Sequence, residues 1–74
     1  DKAMTLLIFQ SIHHVLAAEE ALVEGGVPRD LVPVPKEINP NCGMAITLAV
    51  GDRDRALGLL ASLPPICIVD DWRP

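Results

Sequence analysis

The order of apolar and polar positions along the chain predicts six secondary-structure elements. Residues 4–9, MTLLIF, form a continuous apolar run that is typical of a buried strand. Between residues 12 and 24 the apolar positions recur with the period of a helix. Ser11 is suited to cap the start of this helix, and Gly25-Gly26 to end it. The apolar positions of the predicted helix are Ile12, Val15, Leu16, Leu22 and Val23.

The second half of the pattern predicts a short strand, an alternating strand, a helix and a last strand. Residues 30–35, DLVPVP, contain two prolines, which cannot donate to a sheet ladder and therefore favour an edge position. Residues 44–50 alternate between the two faces of a sheet, with Met44, Ile46, Leu48 and Val50 on one and Ala45, Thr47 and Ala49 on the other.

Asp52 is expected to cap a helix over residues 53–63. Its predicted buried positions are Ala56, Leu59, Leu60 and Leu63. Pro64-Pro65 then ends the helix, and residues 66–72, ICIVDDW, form the last strand.

This element order, βαββαβ, predicts one α+β domain over residues 1–74, with Met4 interpreted as the native start after an added leader of three residues. Right-handed crossovers and short connections favour a ferredoxin-like sandwich. Its antiparallel sheet would have strand order 4-1-3-2 and carry two helices on one face. The other face is apolar and is expected to pack against a second copy, which would make a homodimer.

Composition and charge exclude several classes of function. The net charge is −4 and the six Lys and Arg residues are scattered, which argues against nucleic-acid binding. No apolar run approaches the roughly 18 residues of a membrane span, and the first apolar run is too short for a secretory signal. Cys42 and Cys67 lie too far apart in sequence for a recognisable metal pair, so we expect free thiols in the reducing cytoplasm.

The segment NPNCGMAI, residues 39–46, holds the main candidate for chemistry. In the predicted fold, the connection that carries Asn41 and Cys42 returns to the sheet end where the first helix begins, near Ser11 and His13. A helix N-terminus favours a thiolate and lowers the pKa of a cysteine placed beside it. Gly43 would let a partner's active site approach the sulfur, since it has no side chain.

A plainer interpretation stands beside this one. A free cysteine between apolar residues is more often a small buried hydrophobe than a reagent. Cys67, between Ile66 and Ile68, is predicted to be such a packing residue. His13 and His14 invite a metal site, but neighbouring helical side chains point about 100° apart and do not chelate one ion readily. We therefore expect no metal and no cofactor.

Three segments in this order, IFQSIHHVLAAEEAL, VPRDLVPVPKEI and NCGMAI, resemble the small bacterial family of selenium/sulfur carrier protein-like domains, formerly of unknown function. The most specific matches are Ser11, Pro33-Val34-Pro35, Ile38 and Cys42-Gly43. The resemblance implies a non-enzymatic carrier in which Cys42 accepts sulfur or selenium as a persulfide or selenopersulfide. Its partners would be a donor such as a cysteine desulfurase or selenocysteine lyase, and a downstream enzyme that uses the sulfur or selenium.

Two other functions stay open at this point. A ferredoxin-like domain can act as a ligand-sensing or dimerisation module without thiol chemistry, and fold alone does not separate this function from a carrier. A metal chaperone is disfavoured because the chain lacks a Cys-x-x-Cys pair.

Overall fold

The computed structural model of the protein describes residues 3–34 and 43–73. Within them the chain forms strand β1 (Met4–Ile8), helix α1 (Ile12–Glu24), strands β2 (Asp30–Pro33) and β3 (Met44–Ala49), helix α2 (Arg53–Leu59) and strand β4 (Cys67–Trp72). A single 3₁₀ turn, Val50–Asp52, joins β3 to α2. The predicted α+β class and the βαββαβ order are confirmed. None of the helices formed by the described residues is long and apolar enough to span a membrane.

The four strands form one antiparallel sheet in the order β2-β3-β1-β4. Read from the other edge, this is the order 4-1-3-2 that the sequence predicts. The strand β2, which carries Pro33, lies at an edge as expected, because the missing N–H of proline is tolerated there. The central strands β1 and β3 pair in register through Leu7 and Ile46.

Both helices pack on the same face of the sheet. They contribute to one core cluster with alternate residues of the two central strands. Successive side chains of a strand point to opposite faces of the sheet. Leu7 and Phe9 therefore point to the face with the helices, and Leu6 and Ile8 to the other. The buried members of the cluster are Leu7, Phe9, Val15, Ala18, Leu22, Val27, Ile46, Leu48, Ala56 and Leu60.

The opposite face of the sheet has a smaller cluster of its own. Leu6, Ile8, Val34 and Ala45 are buried there, and Val32, Val69 and Trp72 pack against them while remaining partly exposed. The centre of this face is therefore already buried within the chain, whereas the apolar pattern predicted a face free to pack against a second copy. The homodimer through this face stays a prediction.

Helix α1 has the bounds that its capping residues predict. The Ser11 hydroxyl accepts a hydrogen bond from the backbone N–H of His14, which satisfies one of the free donors of the first turn. At the other end Gly26 takes a left-handed conformation with φ 74°. The side of α1 that faces the core is narrower than the apolar pattern indicated, because Ile12, Leu16 and Val23 are exposed.

Helix α2 ends a turn earlier than predicted, at Leu59 instead of Leu63. The N–H of Leu60 is shared between the carbonyls of Ala56 and Leu57, and Leu63 donates to Leu60 at 2.9 Å, so the chain tightens into turns before Pro64. Leu59, predicted to be buried, is exposed. Asp52 occupies the N-cap position but its side chain makes no capping hydrogen bond.

The strand β3 also ends one residue early. Val50, predicted on the same face of that strand as Ile46 and Leu48, opens the 3₁₀ turn and is exposed.

A contact between α2 and the end of α1 holds the two helices together: the Arg55 guanidinium donates to the carbonyls of Gly25 and Gly26 at 3.0 and 2.9 Å. These bonds satisfy carbonyls that the end of α1 leaves without helical partners.

Candidate functional site at one end of the sheet

Three elements of the chain meet at the sheet end where β1 finishes. Leu7 pairs with Ile46, so the start of β3 lies at this end. Ile8 pairs with Cys67, the first residue of β4, and the Ile66 N–H donates to the Ile8 carbonyl at 2.8 Å. Helix α1 begins four residues after β1 ends. The predicted convergence of these element ends is confirmed for the described residues.

Of the Cys42-Gly43 pair, the structure describes Gly43. Its carbonyl accepts a 2.8 Å hydrogen bond from the Val34 N–H, which ties the two ends of the 35–42 connection together. Gly43 is exposed, and a Cβ built on it would have no atom within 4 Å. Cys42 and Asn41 lie outside the described residues.

Ser11 is engaged by the first turn of α1. Its Oγ lies 2.7 Å from Nδ1 of His14, in addition to accepting the His14 backbone N–H. These contacts orient the His14 ring along the helix start. Ser11 therefore acts as the helix cap, and its hydroxyl is already used within α1.

His13 lies on the exposed side of the same turn. With His14, Ala17 and Leu63 it lines an open groove of about 240 Å³ between α1 and the segment that follows α2. The groove is almost wholly apolar apart from the imidazoles. The described residues contain no cluster of three or more His, Cys, Asp or Glu side chains able to hold a metal ion.

Cys67 corrects the sequence interpretation. The Ile-Cys-Ile pattern predicted a packing residue, but the structure places Cys67 at the exposed start of an edge strand with a free thiol. Since Cys67 pairs with Ile8, its side chain belongs to the sheet face opposite the helices. The signal in the sequence was its position just after Pro64-Pro65, where the strand has only begun.

Comparison with known families gives the chain its place. The family model described as "Putative Se/S carrier protein-like" matches residues 4–63, which is most of the chain. The chain belongs to this family of carrier-like proteins. No curated protein and no solved structure was found to match it.

Proposed function

We propose that the protein is a sulfur or selenium carrier in which the thiolate of Cys42 is the acceptor. The observation that carries this proposal is the family match over residues 4–63, which includes the Cys42-Gly43 pair. The geometry around Gly43 supports it. Covalent geometry holds the Cα of Cys42 about 3.8 Å from that of Gly43, and Gly43 is exposed at the end of the sheet.

The loading step is a thiol exchange on a sulfane sulfur. The Cys42 thiolate attacks the outer sulfur of a donor protein's Cys–S–SH group. A new S–S bond forms on Cys42, the S–S bond of the donor breaks, and the donor cysteine leaves as a thiolate. The outer sulfur keeps its proton and its oxidation state, so the step needs no oxidant or reductant. Selenium would load in the same way from a Cys–S–SeH group.

Unloading repeats the exchange in the other direction. A thiolate of the acceptor enzyme attacks the outer sulfur or selenium on Cys42, and Cys42 is released as a thiolate. The donor in this scheme is a cysteine desulfurase or selenocysteine lyase, and the acceptor is an enzyme that uses the sulfur or selenium. The carrier itself catalyses no reaction.

The test is direct mapping of the adduct. The protein is incubated with a cysteine desulfurase and cysteine, then alkylated, digested and analysed by mass spectrometry without reduction. Because Cys67 is exposed and would react as well, the experiment uses a Cys67→Ser background. We expect one added sulfur on Cys42 that the further change Cys42→Ala abolishes.

The opposite result points to the other class of function. If Cys42 takes up no sulfur from the cysteine desulfurase, and no selenium from a selenocysteine lyase supplied with selenocysteine, the carrier function is wrong. A ligand-sensing or dimerisation module then becomes the better explanation. Wild-type protein with Cys67 intact serves as the control that the background change has not removed the activity.

A further inference from the structure

Charged side chains are missing from one end of the described molecule. No Asp, Glu, Lys or Arg occurs in residues 3–18, 31–34, 43–51 or 56–69. The first helical turn of α1, the start of β3 and the start of β4 are all in these stretches. Lys36 and Glu37 lie outside the described residues. The described charges lie on the other half, and they are Glu19, Glu20, Glu24, Arg29, Asp30, Asp52, Arg53, Asp54, Arg55, Asp70, Asp71 and Arg73.

Large apolar side chains are exposed at this uncharged end. Ile66 has 61% of its surface exposed, Leu16 52% and Ile12 38%. Val23 and Val50 are exposed to a similar degree, but they lie on the half that bears the charges. Ile66 lies beside the end of β1, and Ile12 opens α1. An apolar surface with few charges is the composition of the core of a protein–protein interface, in which charged residues are depleted.

We propose that this uncharged end, defined by Gly43, Ile12, Leu16, Ile66 and Cys67, is the surface on which the sulfur- or selenium-donating protein docks. The proposal rests on the carrier function of Cys42. Its occupant is a protein that carries its persulfide within an apolar, uncharged surface. A charged rim on that partner would have to be desolvated against a surface whose described residues offer it no counter-charge.

Sulfur transfer explains why the docking surface has to be here. The attacking and transferred sulfur atoms come into bonding contact, so the surface around Cys42 is covered by the donor during transfer. Gly43 is covalently next to Cys42. Ile12 opens α1 and Ile66 precedes β4, and both lie at the same end of the sheet as Gly43. A carboxylate introduced among them would be buried without a partner when the donor docks.

The test introduces one carboxylate at each end of the molecule. Ile66→Glu alters the docking surface, and Val50→Glu is the matched control, since Val50 is 49% exposed at the opposite end of the sheet. We expect Ile66→Glu to lower the kcat/KM for loading from a cysteine desulfurase by about tenfold or more. Val50→Glu should stay within about twofold of the unmodified protein, as surface changes away from a contact generally do.

A second pair of variants on α1 separates docking from folding. Glutamate at Ile12 lies at the positive end of the helix dipole and favours the helix, whereas glutamate at Val23 lies at the negative end and opposes it. If stability controls loading, Val23→Glu should load more slowly than Ile12→Glu. If docking controls loading, Ile12→Glu should load more slowly. Slower loading of Ile12→Glu than of Val23→Glu supports the docking surface.

A small donor distinguishes this proposal from the proposed function. Inorganic polysulfide can load Cys42 without a docking protein, so Ile66→Glu should load from polysulfide at the unmodified rate. Equal enzyme-dependent rates for Ile66→Glu and Val50→Glu overturn the docking surface and leave the carrier function intact. No sulfur on Cys42 from either source, together with no selenium from a selenocysteine lyase, overturns the carrier function, and the docking surface is then wrong as well.

Discussion

At the scale of single residues, Gly43 is an exposed glycine, and among the described residues neither its backbone conformation nor a close contact requires one there. Among the described glycines Gly26 has a positive φ, and Gly43 does not. A Cβ added at Gly43 would also have no atom within 4 Å other than those of its two chain neighbours. The absence of a side chain at Gly43 would therefore matter for the approach of another protein and not for the fold.

This gives a prediction for Gly43→Leu. We expect its free energy of unfolding to stay within about 0.5 kcal/mol of the unmodified protein, the usual range for a surface substitution. Its loading by a cysteine desulfurase should nevertheless slow, since the leucine blocks the approach of the donor. Urea denaturation and the loading rate check the two parts. Gly51→Leu is the control, because Gly51 also has no atom within 4 Å and lies at the opposite end of the sheet. Equal loading by both variants contradicts the idea.

Two residues show what can be predicted from local sequence. Ser11 was assigned correctly as a helix cap because capping depends on the following three residues alone. Cys67 was assigned wrongly because its burial depends on which strand lies beside it and on where that strand begins. The Ile-Cys-Ile pattern contains neither piece of information.

At the scale of elements, the two glycines after α1 have different roles: Gly25 leaves room for a neighbouring side chain, and Gly26 takes a left-handed conformation. Gly25 keeps a helical conformation, and a methyl group on it would meet Cδ1 of Leu59. That atom is the end of a flexible, exposed side chain and can move. Gly26 has φ 74°, which an alanine adopts only with strain.

We therefore expect Gly26→Ala to lower the free energy of unfolding by about 1–2 kcal/mol, the cost of a left-handed conformation for a residue with a Cβ. Gly25→Ala should cost less than half as much, because Leu59 can rotate away. Urea denaturation of both variants measures the difference. A larger loss for Gly25→Ala would mean that the Leu59 contact is rigid.

The helices also show where sequence patterns stop being informative. The bounds of α1 follow from a cap and a glycine pair, both of which are local signals. The end of α2 was placed a turn too late because Leu60 and Leu63 continue the apolar period after the helix has ended. Apolar spacing is satisfied by a tight turn as well as by a helix, so it did not reveal the change.

At the scale of the whole molecule, the sheet order was predictable because proline marks an edge strand and the connections are short. The covering of the second sheet face was not. Leu6, Ile8 and Ala45 are buried by packing between residues distant in sequence, which alternation within one strand does not report. The position of Cys42 relative to His13 was a sequence prediction and stays one.

The homodimer is tested at this scale. Val32, Val69 and Trp72 are only partly buried on the second face, which leaves less surface for a second copy than the sequence indicated. We therefore expect weak association, visible by sedimentation equilibrium at high micromolar concentration and reduced by Trp72→Lys. Val23→Lys, on the exposed side of α1, is the control. A monomer throughout this range rules the dimer out.

The uneven distribution of charge also affects how the molecule rotates as it approaches a partner protein. Among the described residues, the half that bears the charges holds eight carboxylates and four guanidiniums, a net −4, and the opposite end holds no charged side chain. The described residues thus form an electric dipole whose negative pole is remote from Gly43. Near an acidic protein the resulting torque turns the uncharged end forward, and near a strongly basic one it turns that end away. Added salt weakens both effects.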